Sequence, residues 1–119
     1  MAIRRALVDR DGIICAWIHG VASRHTRTGD PQGPEREAAV AELREAASPR
    51  HDGRGVRADL LSRECGLFTG IAAGQKEDQL GWWRRAQMLA MAGLCAEAAG
   101  DQLDSDLVTE WTAEGTARA

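Results

Sequence analysis

The sequence predicts an all-α fold, a small bundle of four to five amphipathic helices. Two observations carry that prediction. The first is composition: 21 Ala and 10 Leu stand against 5 Val, 5 Ile, one Phe and no Tyr. A sandwich or barrel draws on many β-branched and aromatic residues, and this chain lacks them. The second is periodicity, because apolar residues recur every three to four positions through most of the chain. At 119 residues and 12.9 kDa the chain has the length of one helical domain.

Ile13, Ile14, Trp17, Ile18, Val21, Ala22 and His25 form one broad stripe, which predicts a helix over about 12–26 capped by Asp11. A β-hairpin around Asp11-Gly12 competes locally, but alternation would split Ile13 from Ile14. Residues 1–10 read as a mobile N-terminal arm. Residues 28–34, Thr-Gly-Asp-Pro-Gln-Gly-Pro, form a loop, since two prolines withhold donors and two glycines admit positive φ. Pro34 and Glu35 suit the first turn of the next helix. Ala39, Val40 and Leu43 make its apolar line, and Ser48-Pro49 ends it. The polar stretch over 48–56 is an exposed connection.

A third helix over 57–73 places Leu60, Leu61, Cys65, Phe68 and Ile71 on one face. Its Gly66 and Gly70 lie one turn apart. Each costs about 1 kcal/mol relative to Ala in a helix interior, so both mark a close helix contact. The longest pattern runs over 77–99, with so few polar positions in its second half that it reads as a central helix or a subunit interface. Gly100 suits its C-terminus. A last helix over 104–116 takes Asp104 or Asp106 as its cap and Leu103, Leu107, Val108 and Trp111 as its anchors. Gly115 opens a short C-terminal tail.

Formal charge is −3, with 15 basic and 18 acidic residues. A domain that tracks a phosphate backbone usually carries a basic balance or stripe, and none is present. No run of apolar residues is long enough to span a bilayer, and the first residues lack the apolar stretch of a secretory signal. Three widely spaced cysteines make no disulfide framework. Cytoplasmic location is therefore expected. Fourteen Arg against one Lys, with no Asn, read as the codon usage of a GC-rich bacterial genome.

Candidate chemistry is sparse. Cys15 and His19 stand one helical turn apart and are weak metal candidates, but a closed zinc site needs two further ligands and no Cys-x-x-Cys supplies them. The same pair as a thiolate–imidazolium couple lacks oxyanion donors, because backbone N–H groups inside a helix are already bonded. Glu64 and Glu97, the acids most flanked by apolar residues, read as members of solvated faces. No phosphate-binding glycine loop occurs, and no cofactor is expected. Trp17 and Trp111 read as core aromatics.

The most unusual local feature is Trp82-Trp83-Arg84-Arg85. Neighbouring positions diverge by about 100° on a helix, so one indole faces the core while the other reaches a rim or a partner. Trp82, Arg84, Arg85, Met88 and Met91 are the candidate partner-binding residues. The leading expectation is a non-enzymatic interaction or adaptor protein, a homodimer or one docked on another protein. A nucleic-acid-binding regulator is the second reading, with Arg50, Arg54 and Arg57 as phosphate contacts. Its helix-turn-helix would need a tighter turn than residues 48–55 provide. A small-ligand binder or enzyme is the third, with an interhelical pocket lined by Trp17, Phe68, Trp82 and Met88.

Overall fold

A computed structural model describes residues 2–49 and 55–119, and among them the chain is an all-α bundle. Five α-helices follow in order: α1 (Ala2–His25), α2 (Gly33–Ala46), α3 (Ala58–Ala73), α4 (Gln79–Ala99) and α5 (Ser105–Arg118). A short 3₁₀ turn, Gly100–Gln102, joins the last two. Met1, residues 50–54 and the side chains of 2–9 lie outside the described residues. The expected connection over 48–56 falls largely there, whereas residues 2–10 of the expected arm are described and form the first turns of α1.

Helix α1 is continuous from Ala2, so Asp11 is an interior residue and not a cap. Ala2, Arg4, Arg5, Ala6 and Leu7 are all good helix formers, and they carry the helix through Gly12. Of the stripe read from the sequence, Ile14, Ile18 and Ala22 are buried, whereas Ile13 and Trp17 lie outside the core. Helix α2 starts with Pro34 in its first turn and buries Ala39, Leu43 and Ala46. Helix α4 is capped by Asp78, whose carboxylate accepts from Gly81 N at 2.7 Å. It stops at Gly100, which takes φ +59°. In α5 the Asp104 carboxylate accepts from both Asp106 N and Leu107 N.

The central helix is α3, not the 77–99 segment. Eleven of its residues are buried, because α5 covers one side while α1 and α4 cover the other. Its two glycines explain the first side. A Cβ on Gly66 would stand 2.7 Å from Val108 O, and one on Gly70 would stand 2.1 Å from Thr112 O. Gly115 answers from α5, where a Cβ would meet Leu67 O at 2.4 Å. The expected tail after Gly115 is therefore helix, locked by its glycine against α3. Among the described residues α5 packs on α3 alone. Ser62 Oγ accepts from Asp104 N at 2.9 Å and Thr116 donates to Gly70 O at 3.3 Å, fixing both ends of the contact.

The main core fills the other side of α3. Ile18, Leu43, Leu61, Phe68, Met91 and Leu94 are its largest buried apolar side chains, padded by Ala22, Ala39, Ala47 and Ala98. Alanine brings helices close but buries little area apiece. Large apolar side chains are consequently few inside, and several remain outside.

Candidate functional site

Helix α4 divides into three faces at 100° per residue. Gly81, Met88, Ala92, Cys95 and Ala99 lie on the α3 side. Ala90, Met91, Leu94 and Ala98 lie on the side of α1 and α2. The third face looks to solvent, and it is not polar: Trp82, Ala86 and Leu89 are exposed there and Gly93 is half-buried. Trp82 is 59% exposed, Trp83 63%, Leu89 49% and Leu80 75%. Both indoles of the pair face outward, where one was expected in the core. The reason is the position of the pair: α1 and α2 cover the second half of α4 and leave its first two turns projecting.

The remaining members of the predicted partner-binding set are placed as follows. Arg84 is exposed beside the indoles. Arg85 turns back onto the end of α3, donating from Nε to Ala72 O and from an Nη to Gln75 O, both at 3.1 Å. It caps spent carbonyls and holds the first turn of α4 in place. Met88 is half-buried against the core. Met91 is a correction: at 1% exposure it is a core residue, because the three-residue step from Met88 carries it to the inner face.

The cations expected on nucleic acid are not gathered into a site. Arg50 and Arg54 lie outside the described residues. Arg57 is engaged by two carboxylates, with Nη contacts to Asp11 at 2.9 Å and to Asp59 at 2.9 Å. Both pairings hold its guanidinium charged far above neutral pH. They also tie the middle of α1 to the start of α3.

Cys15 and His19 diverge. The His19 ring packs edge-on against Phe68 with centroids 5.3 Å apart. The Cys15 thiol instead faces Glu64, which is buried in the bundle at 6% exposure and not on a solvated face. Burial raises the Glu64 carboxyl above its ordinary range, while the Cys15 thiol and the Arg63 and Arg118 charges oppose that rise. Burial, then the charge of Glu64, pushes the Cys15 thiol up to about 12. Cys65 and Cys95 are also raised by burial. A thiol held protonated is a poor nucleophile and a poor metal ligand at neutral pH. Among the described residues no three His, Cys, Asp or Glu side chains could hold a metal ion.

The pocket expected between Trp17, Phe68, Trp82 and Met88 does not form. Phe68 is sealed in the core, and the groove that Trp17 lines includes neither Trp82 nor Met88. Trp17 instead walls an open groove of about 500 Å³ between α1 and α2, with Val21 and Arg24 facing Glu42 and Glu45. Arg24 and His25 both bind the Glu42 carboxylate, the latter at 2.5 Å, and hold it below the usual carboxylate range. Trp111, the other supposed core aromatic, is half-buried under the Arg63 guanidinium, 4.0 Å from its ring centre.

Sequence reasoning missed buried Glu64 and exposed Trp17. Arg63 beside Glu64 suggested a wet face, and only the arrival of α1 on α3 covers that carboxylate. No described helix is long and apolar enough to cross a membrane. Compared with protein-family models, with curated proteins and with solved structures, the chain matches none.

Proposed function

We propose that this protein is a non-enzymatic interaction protein that binds other protein through the outer face of α4. One observation carries the reading: Trp82 and Leu89, two turns apart on one face of α4, are both exposed, and Trp83 is exposed beside them on a helix that is otherwise well packed. Two indoles and a leucine so placed leave about 300–400 Å² of apolar side chain in water. The largest apolar patch on a typical monomer is of that size and is often functional. Tryptophan is also among the residues that most often anchor interfaces, and two stand here. Among the described residues, burial raises all three thiols and two carboxylates engage Arg57, which favours this reading over thiol chemistry or phosphate binding.

The test is binding of the apolar dye bis-ANS alongside sedimentation velocity. A surface built for protein contact either captures the dye or is already covered by self-association. Replacing Trp82 and Leu89 together by serine should reduce whichever is seen. A strict monomer that binds no dye would refute the proposal.

A further inference from the structure

We infer that the occupant of the α4 face is a second copy of this chain, with the two α4 helices packed antiparallel about a two-fold axis near residues 87 and 88. This inference rests on the interaction role assigned to α4 above and adds the partner and its orientation. Gln79, Trp82, Ala86, Leu89, Gly93 and Ala96 succeed one another in alternating steps of three and four. That is the spacing of a helix-pairing seam, and it coincides with the outward face. Along the seam the residues alternate in size, with Trp82 and Leu89 large and Ala86 and Gly93 small.

Size alternation selects the orientation. A parallel pair would set Trp82 on Trp82 and Gly93 on Gly93, a collision at one end and a void at the other. An antiparallel pair with its axis between 87 and 88 sets Trp82 of each copy on Gly93 of the other, and Leu89 on Ala86. Each large side chain then meets a small one, as close packing requires. The receptacle at Gly93 is already furnished. Arg36 reaches over from α2, held by Asp30 at 2.8 Å and Glu97 at 2.6 Å, and its guanidinium ends 3.7 Å from where a Gly93 Cβ would be. An indole seated on Gly93 would lie against that fixed cation. With the near side of Trp83 and the polar rim, two copies would bury about 1,000 Å², the lower end of specific interfaces. Interfaces of that area are typically weak and reversible.

The test combines sedimentation velocity with a spin–spin distance. The full chain is labelled at Gln79→Cys, the exposed first residue of α4, in a Cys15→Ser background, where Cys65 and Cys95 are buried. A concentration-dependent dimer is expected, with labels about 25 Å apart from a rise of 1.5 Å per residue. Gly93→Leu should raise the dissociation constant by about tenfold or more. Its monomer should stay folded, since only the tip of Arg36 stands near the new Cβ. Leu89→Ser is the second variant and should weaken pairing in the same way. A dimer with labels about 10 Å apart, the spacing of a parallel pair, overturns the orientation. A dimer unmoved by both variants overturns the seam. A monomer at about 100 µM that binds bis-ANS through Trp82 and Leu89 overturns self-pairing and leaves the interaction role standing. A monomer that binds no dye overturns both.

Discussion

Gly70→Ala should destabilise the protein, although it replaces the poorest ordinary helix former with the best. On an open helix surface that exchange gains about 1 kcal/mol. At Gly70 the new methyl would stand 2.1 Å from Thr112 O, 2.7 Å from Thr116 N and 2.8 Å from Gly115 Cα, all backbone atoms of α5. Ordinary contact begins near 3.4 Å. Helix α5 must therefore retreat by more than an ångström, and no side chain can rotate away to spare it. Overpacking of this kind costs about 1–3 kcal/mol, and the upper end applies because α5 has no other helix to hold it. Its retreat also strains the Asp104–Ser62 and Thr116–Gly70 hydrogen bonds. Set against the propensity gain, the net loss is about 2 kcal/mol, roughly 8 °C of midpoint for a domain of this size. Gly12→Ala is the matched control, since nothing lies within 4 Å of that position on the exposed side of α1. It should stabilise by about 0.5–1 kcal/mol. Urea melts followed by far-ultraviolet circular dichroism read both. A Gly70→Ala protein as stable as the parent would refute the close α3–α5 contact.

The other predictions concern charges and thiols. Glu64 is raised on folding from an ordinary value of 4.5, so its favourable contribution is complete below that pH and is lost as pH rises through the folded value. Glu64→Gln should therefore stabilise at pH 8, by on the order of 1 kcal/mol, and change little at pH 4 in paired thermal melts. Arg57→Ala removes the link from α1 to α3; because its partners are partly exposed, the loss should be about 1 kcal/mol or less and shrink in 1 M salt. With its thiol near 12 and not 9.0, Cys15 holds about a thousandfold less thiolate at neutral pH, so alkylation of the native protein by iodoacetamide, followed by mass spectrometry, should be far slower than after unfolding.

Much of the fold was legible because local chemistry and packing agree. Pro34, Asp104 and Gly100 place helix ends by backbone requirements that hold whatever the neighbours do. Gly66 and Gly70 announced a close contact through their cost, without naming α5 as the cause. Asp11 misled because a good cap residue is also tolerated inside a helix when a cation such as Arg57 receives it. The site was legible only in part. Trp82-Trp83 stands out in the sequence, but whether an indole is covered depends on where α1 and α2 stop along α4, which no spacing encodes. Met91 and Trp17 were exchanged for the same reason: periodicity identifies an apolar stripe and leaves open which edge of it the bundle reaches.

The choice of α3 as the central helix is what makes the outer face of α4 chemically surplus. With its glycine side given to α5 and its other side to α1 and α4, α3 meets the burial demand of this small bundle. Helix α4 then needs only two apolar faces to be held, one on α3 and one on α1 and α2. A third apolar face adds nothing to the stability of a lone subunit and leaves large side chains in water. Polar residues would satisfy the monomer there equally well. Trp82 and Leu89 stand there instead, about three turns from Gly93 and under one turn from Ala86 respectively, in the order a two-fold partner would require.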